Sequence, residues 1–557
     1  MKRNRILIIG GLSAGPSAAA KARRIDENAE ILLFEKTAHI SYATCGIPYA
    51  LSGQIQSRDK LIVVQPNQLI ERFKIKLHLN EPVTDIDPNA HMVYTHKGAY
   101  QYDKLIVATG GRAILPPIEG IENYHHWAHA KTLEDFDKIM KQDVVAKSDH
   151  ITIIGAGLIG LENAENLVKV GKKVTVIELG DQILANWDLK FARMAENVLL
   201  ENGIDLRLRT SVVGVDASTN ELILNNGERL YTDYTLIGIS IRPNTELLTS
   251  KGADHLPNGA LIVNEKMETS LKDIYAAGDC ASISHKITGD PGWFPMGTHS
   301  NKGGRTAGAN AAGRVETFDG GYGTAIMKLF NYTIARTGMG PRELKRKGIE
   351  FNSSFTITGT TPGFYPDQKD MFLEIYFDPK SRALLGAELM GERGVDKRVD
   401  VLSTAIYAKL TIDDLPKLDL AYAPPFSPAK DPVIVAGFVA GNSLAEGYHE
   451  VSVTTAHETF SNPNVSNYAI LDVRNPSEIH KSGMIEDAIN IPLDDLRDRL
   501  TELNKKQHLF VYCAKGLRGY LASLILLHHG FENVSNIGGG FTAWNKIIGK
   551  SKFIELV

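Results

Sequence analysis

Ile6-Leu7-Ile8-Ile9-Gly10-Gly11-Leu12-Ser13-Ala14-Gly15, and again Ile151-Thr152-Ile153-Ile154-Gly155-Ala156-Gly157-Leu158-Ile159-Gly160, are the stretches that decide the fold. Each runs a short apolar strand into a glycine loop that opens a helix, the first continuing through Arg24 and the second through Val170. A second apolar run follows each helix, Ile31 to Phe34 and Val174 to Ile177, and each ends in an acid, Glu35 or Glu178. Strand, glycine loop, helix and strand make a βαβ unit. In such a unit the helix N-terminus offers unpaired N–H groups to a pyrophosphate. The glycines let it come close, and the acid takes a ribose hydroxyl. The expected binding residues are therefore Gly10, Gly15 and Glu35 in the first unit and Gly155, Gly157, Gly160 and Glu178 in the second, with Leu12 standing where the first loop's middle glycine would be.

Around these units lies a chain of 557 residues, which at roughly 150 per domain suggests several domains. Its 43% hydrophobic and 23% charged residues exclude a disordered or low-complexity chain. With 61 basic against 65 acidic residues, no global field argues for nucleic acid or an anionic membrane, so any anion site must be local. Cys45, Cys280 and Cys513 lie too far apart in sequence for a disulfide framework or a Cys-x-x-Cys metal cluster, and no metal site is expected. The apolar run after Arg5 is too short for a signal peptide, and Pro432 to Ala445 is too short to span a membrane. A cytoplasmic protein is expected. Asp103 to Gly110 reads as a strand entering a turn, Lys397 to Leu410 as a helix, and the proline-rich Ala421 to Pro428 as a structured loop. A linker is placed at Gly441 to Gly447, before a last domain of strands and helices.

Two dinucleotide units in one chain, with Thr269-Ser270-Leu271-Lys272-Asp273-Ile274-Tyr275-Ala276-Ala277-Gly278-Asp279 far downstream, resemble the FAD- and NAD(P)H-dependent disulfide reductase superfamily. The resemblance implies an α/β protein with two nested Rossmann-like domains. FAD would occupy 1–115 and 241–322, NAD(P)H 116–240, and an α+β dimerisation domain 323–445. It also implies that Asp279 binds the flavin ribitol. Glu178 favours NADH, because an acid there bonds a free 2′-hydroxyl and repels a 2′-phosphate, and Leu179-Gly180-Asp181 supply no arginine.

Most members of that superfamily carry a Cys-x4-Cys pair, whereas Ser41-Tyr42-Ala43-Thr44-Cys45-Gly46-Ile47-Pro48-Tyr49-Ala50 has a single cysteine with Ala50 in the second position. A lone thiolate forms a mixed disulfide with its substrate or is oxidised to sulfenic acid. Ser13 stands where single-cysteine peroxidases and oxidases place a histidine. The glycine loop, the basic run Lys21 to Arg24 and Ser41 instead resemble the coenzyme A-disulfide reductases. Ser17, Lys21 and Arg24, at i, i+4 and i+7, would share one helix face toward the coenzyme's phosphates. Thr44 departs from the asparagine common in that branch. The resemblance also implies that Tyr365 and Tyr422 serve the redox site, Tyr422 from the partner chain of a homodimer, with Lys430 in support.

Leu509 to Tyr512 reads as a strand, Cys513-Ala514-Lys515-Gly516-Leu517-Arg518-Gly519 as a tight loop and Tyr520 to His529 as a helix. Such a nest of N–H groups stabilises an anion on Cys513, and Arg518 joins it as a catalytic candidate. Together with Leu471-Asp472-Val473-Arg474, Ala488 to Pro492 and Gly538 to Trp544, residues 451–557 resemble a rhodanese domain, with Met484 at a familiar histidine position. Cys280 reads as a small buried residue. The whole chain resembles the coenzyme A-disulfide reductase and rhodanese fusions. That implies reduction of coenzyme A disulfide, coenzyme A persulfide or polysulfide through Cys45, with sulfur transfer at Cys513. An NADH oxidase or peroxidase cycling a Cys45 sulfenic acid is the alternative, and a slow flavin-linked redox sensor or sulfur-carrier binding protein is a third reading.

Overall fold

The computed structural model describes residues 4–549; positions 1–3, and 550–557 at the end of the expected 451–557 domain, lie outside the described residues. The chain divides by its internal contacts into two units. One comprises the residues up to Asp181 together with Gly203–Gly323, and the other comprises Gln182–Asn202 and everything from Thr324 on.

The first unit holds two parallel sheets of the same design. In one the strands run Ile274–Ala276, Lys104–Val107, Arg5–Ile9, Glu30–Phe34 and Lys76–His78. In the other they run Asp205–Arg207, Lys173–Ile177, His150–Ile154, Tyr234–Ile237 and Trp127–His129. A parallel strand covered on both faces must be apolar throughout rather than alternating. Ile6, Leu7 and Ile8 accordingly have no exposed surface. Helices Ala14–Ile25 and Leu158–Lys169 cross from the first to the second strand of each βαβ unit. The first is built of small residues because it lies almost backbone to backbone on helix Gly297–Ala311. A side chain at Gly304 or Gly308 would collide with the main chain of Ala14 or Ala18.

The second unit contains an antiparallel sheet, in the order Ala325–Leu329, Tyr332–Gly338, Leu384–Gly391, Asp370–Phe377 and Asn352–Gly359. Helices Val395–Tyr407 and Pro432–Asn442 pack against it. Residues 182–202, inside the span expected for the second nucleotide domain, pack here too, held by buried charge. Lys190 pairs with Glu374 at 2.5 Å, the Asp188 N–H donates to Glu388 at 2.9 Å, and Arg336 donates to the Asn186 carbonyl at 2.6 Å. Burial holds the Glu388 carboxyl up at about 8, so it is largely protonated at neutral pH.

A second, parallel sheet follows in the order Glu450–Val451, Val534–Ile537, His508–Tyr512, Tyr468–Asp472 and Ile489–Asn490. Its centre is stapled by Asp472 and Arg474, both buried. The guanidinium donates to the carboxylate at 2.6 Å and to the Gly483 carbonyl at 2.8 Å while lying over the Phe541 ring. Among the described residues, no helix is long and apolar enough to cross a membrane.

Truncating one member of a buried ion pair strands the other's charge. Arg474→Ala should therefore destabilise this last sheet by about 3–5 kcal/mol. The double change Asp472→Asn with Arg474→Met should recover most of that loss. The urea midpoint of the domain's unfolding reads both, and an Arg474→Ala midpoint equal to wild type would remove the pair from the account.

Candidate active sites

The two glycine loops are built alike. Gly10 and Gly155 take φ of +107° and +104°, a left-handed conformation that costs glycine nothing. That turn brings the carbonyl of each within contact of the glycine that closes the loop, Gly15 or Gly160, where no Cβ would fit. The acids are held the same way. Glu35 accepts from the N–H groups of Gly11 (2.8 Å) and Thr37 (2.9 Å), and Glu178 accepts from those of Ala156 and Gly180, both at 2.8 Å. Each carboxylate is thus fixed at the loop's rim, where a ribose would reach it. A Cβ on Gly157 would meet nothing within 4 Å, the open approach that a pyrophosphate needs. These residues fit a dinucleotide at each loop. Arg209 was not anticipated from the sequence: its N–H bonds the Gly180 carbonyl at 2.9 Å, so its main chain lies beside the turn that follows Glu178, 31 positions away.

Asp279 suits the ribitol position expected of it. Burial raises its carboxyl's pKa, and its partners are loose, with Ser300 donating at 3.4 Å and the Lys131 ammonium forming an ion pair at 3.9 Å. Of the residues expected to hold coenzyme phosphates, Arg24 is exposed and lies over the Phe73 ring at 5.3 Å, while Ser17 donates to Asn301 at 2.7 Å. Lys21 differs from a free phosphate ligand, being buried against Glu316 at 2.7 Å. Arg23, in the same basic run, is a structural clamp that donates to the carbonyls of Phe73, Asp26, Glu27 and Lys74. Ser41 is buried at φ +45°, with its N–H on the Gly11 carbonyl at 2.9 Å.

Cys45 is exposed, in the turn Thr44–Gly46 that leads into helix Ile47–Leu51. That short helix is docked on Leu158–Lys169, the helix that begins at the second glycine loop. Ser52 and Gln54 both donate to Asn166, at 2.8 and 2.9 Å, and Tyr49 hydrogen-bonds Glu162. Burial, with Glu165 adding its charge, pushes the Glu162 carboxyl up to about 7. Burial and Glu162 together push the Tyr49 phenol up to about 12. The sequence reading missed this polar patch, although Glu162, Asn163, Glu165 and Asn166 on one short helix signal that its buried face is not simply apolar. Cys280 is fully buried, its thiol directed at the carbonyls of Val107 (3.4 Å) and Ala277 (3.3 Å).

In the second unit, Tyr365 lies on the loop between Asn352–Gly359 and Asp370–Phe377. Tyr422 is 52% exposed in the irregular proline-rich loop, where Phe426 and Lys430 are exposed as well. That loop is held from beneath by a buried pair, Arg398 donating to Asp431 at 2.9 Å. Asp431 also accepts from Ser427 (2.8 Å) and from the Val433 N–H at the start of helix Pro432–Asn442 (3.0 Å).

Cys513 is buried, and its sulfur accepts from the Gly516 N–H at 3.1 Å. The helix starts at Leu517, three residues earlier than expected, so the loop is shorter and Arg518 stands in the first helical turn. Arg518 is not free. Its fork grips Glu478 at 2.6 and 2.7 Å, holding that carboxyl down at about 2. Glu478 is also the third helical residue and closes the capping box that starts helix Pro476–Ser482, a spacing visible as Asn475-Pro476-Ser477-Glu478.

Glu162 makes stability depend on pH. Its folded carboxyl keeps a proton that the unfolded chain releases above about 4.5, so the folded state loses stability as pH rises from there through about 7. Glu162→Gln should flatten that fall. Denaturant midpoints at pH 5 and pH 8 measure it, and an unchanged pH dependence in the variant would show that Glu162 titrates normally.

Comparison with known proteins places this geometry. The family described as pyridine nucleotide-disulphide oxidoreductase matches residues 4–308, its dimerisation domain 324–432, and the rhodanese-like domain 452–547. A relative named NAD(P)H sulfur oxidoreductase (CoA-dependent), from Pyrococcus abyssi, is 34% identical over 77% of this chain and 96% of its own. The solved structure of reduced Bacillus anthracis CoADR-RHD is 32% identical, with a TM-score of 0.93 over 99% of both chains. That of an NAD-dependent persulfide reductase from A. fulgidus is 34% identical, with a TM-score of 0.90 over 97% of this chain and 100% of its own. Two glycine loops with their acids, one exposed cysteine between them and a second cysteine in a rhodanese-like domain thus meet in one oxidoreductase: the chain belongs to the pyridine nucleotide-disulphide oxidoreductase family.

Proposed function

We propose that this chain is an NADH-dependent flavoprotein that reduces coenzyme A disulfide, coenzyme A persulfide or polysulfide at Cys45 and couples that reduction to sulfur transfer at Cys513. The observation that carries the proposal is the isolation of Cys45. It is the exposed cysteine, Ala50 stands where a second redox thiol would be, and Cys280 and Cys513 are buried. A thiolate so placed must take the substrate's sulfur into its own disulfide. Attack on the coenzyme-bound sulfur of a persulfide expels sulfide and leaves Cys45 disulfide-bonded to the coenzyme. Two electrons then return the Cys45 thiolate and the free coenzyme thiol. Gly10, Gly15, Glu35 and Asp279 would hold FAD and Gly155, Gly157, Gly160 and Glu178 would hold NADH, the pair that would supply those electrons. The relatives named CoA-dependent sulfur oxidoreductase and persulfide reductase support this substrate class.

The coenzyme's phosphates are assigned to Ser17, Lys21 and Arg24, with Ser41 nearer the thiol; for Lys21 this means exchanging Glu316 for phosphate. The acting species is a homodimer, in which Tyr422 and Lys430 of the partner subunit, with Tyr365, attend the departing thiolate. The matched dimerisation domain and the exposure of Tyr422 and Phe426 support that assembly. At Cys513 the Gly516 N–H and Arg518 stabilise a persulfide anion. Unpaired cysteines suit the reducing cytoplasm.

NADH oxidation with coenzyme A persulfide, coenzyme A disulfide, peroxide and oxygen tests the substrate class. Coenzyme A substrates should dominate, and faster turnover of peroxide or oxygen would replace the proposal with the sulfenic acid reading. Cys45→Ser should abolish coenzyme A persulfide reduction yet keep sulfur transfer from thiosulfate. Cys513→Ser should do the reverse, and loss of both activities in either variant would end the division of labour. Glu178→Ala should narrow the preference for NADH over NADPH by roughly tenfold, about 1.4 kcal/mol of transition-state binding. A wild-type enzyme indifferent to the 2′-phosphate would instead assign Arg209 the larger part.

A further inference from the structure

Within the second unit a cavity of about 200 Å³ opens beside the Cys513 loop. Gly516, whose N–H touches the Cys513 sulfur at 3.1 Å, lines it together with the apolar side chains of Phe355, Ile357, Val435 and Val439. Three polar side chains also reach it, and they form a chain. Asn536 donates to the Tyr448 hydroxyl at 3.0 Å, and that hydroxyl donates to the Glu450 carboxylate at 3.1 Å. Asn536 is 1% exposed, and its Oδ1, which lies against Gly519, has no hydrogen-bond partner. Glycines make the room. A Cβ at Gly538 would stand 2.8 Å from the Glu450 carboxylate, and one at Gly519 would collide with the Asn536 amide.

We propose that Glu450 is the proton acceptor for a thiol that enters this cavity to collect sulfane sulfur from Cys513. The proposal rests on the sulfur-transfer role of Cys513. The acceptor is a neutral alkyl thiol, since Phe355, Ile357, Val435 and Val439 give the cavity an apolar lining. In the step, the acceptor's S–H proton passes to the Glu450 carboxylate. The resulting thiolate bonds to the outer sulfur of the Cys513 persulfide, and the old sulfur–sulfur bond breaks. The products are an acceptor persulfide anion, the Cys513 thiolate and protonated Glu450, with charge conserved and no external oxidant required. Glu450 then returns its proton to water.

The groups facing Glu450 suit this exchange. Burial pushes its carboxyl up to about 7, and Glu374 adds to that, while the hydrogen bonds from Tyr448 and Asn536 and the charge of Lys190 pull it back. Lys515 also lines the cavity, with its ammonium paired to Asp370 at 2.6 Å. An acid poised there gains and loses a proton at neutral pH.

The test uses the full-length holoenzyme, with thiosulfate as donor and dithiothreitol as acceptor. Sulfite release in a single turnover reports loading of Cys513, and sulfide release across pH 6–10 reports transfer. Glu450→Gln should load like wild type and lose roughly tenfold or more of its transfer rate at pH 7. That loss should close above about pH 8.5, where an ordinary thiol ionises unaided. Tyr448→Phe keeps the carboxylate but removes a hydrogen bond to its charged form, so its acid limb should move to higher pH. Transfer profiles identical to wild type in both variants, or a Glu450→Gln loss equal at pH 7 and pH 10, would overturn the assignment. So would a folded Glu450→Gln that fails to load, since that marks a structural role. Wild-type enzyme that releases no sulfite overturns the role of Cys513 itself.

Discussion

The carbonyl oxygen of Gly10 occupies the space where a side chain at Gly15 would begin, and two further functional loops of the chain repeat that constraint. Gly155 and Gly160 do so at the second loop, and the carbonyl of Cys513 fills the place of a Cβ at Gly540. Main chain packed on main chain leaves no rotamers to adjust, so the N–H groups that face a ligand are fixed before it arrives. The carboxylates of Glu35 and Glu178 complete the arrangement by tying each loop to the turn after the next strand. Close approach also explains the alanines of helix Ala14–Ile25: the backbone of Gly297–Ala311 leaves them no depth for anything larger.

The two cysteines differ in exposure and in what surrounds them. Cys45 sits on the surface with acids nearby, since Tyr49 and Glu162 lie on the elements around it and Glu162 holds a proton up to about pH 7. Cys513 is buried, and its sulfur is met by an N–H from its own loop, with Arg518 in the next helical turn. Chemistry follows from that difference: an exposed thiol can meet a bulky disulfide, whereas an enclosed one holds a small persulfide out of water. The staple Asp472 to Arg474 supports the second site from a distance. Arg474 grips Ser482 and Gly483 at the end of helix Pro476–Ser482, and that helix carries Glu478 to Arg518.

The glycine loops, their acids and the parallel strands were legible because main-chain constraints leave narrow residue choices: no alternative fits at Gly10, and no polar residue survives at Leu7. What stayed hidden depended on contacts between distant segments. Lys21 reads as a surface cation until Glu316 closes on it, and Arg23 reads as its equal until four carbonyls claim it. Arg209 is brought beside the turn after Glu178 only through a strand pairing. The helix after Cys513 starts early because Gly516, at φ +122°, turns the chain at once, a conformation that the run Ala514-Lys515-Gly516 permits without announcing.

Gly538-Gly539-Gly540 shows how one motif can answer to two demands. Gly540 is set by the domain's own cysteine loop, since its φ of +56° and the nearby Cys513 carbonyl exclude a side chain. Gly538 answers to Glu450 on the edge strand of its own sheet, whereas Gly539 answers to a neighbour that a self-contained domain would not require. A Cβ on Gly538 would press on Glu450, and one on Gly539 would come within 2.6 Å of the Phe355 ring, which belongs to the antiparallel sheet. Lys515, two residues after Cys513, likewise pairs with Asp370 of that sheet at 2.6 Å. The cysteine loop is thus shaped partly by the domain to which it is fused. Substitutions on the antiparallel sheet at Phe355 or Asp370 therefore bear on the sulfur site through packing, without touching the sulfur.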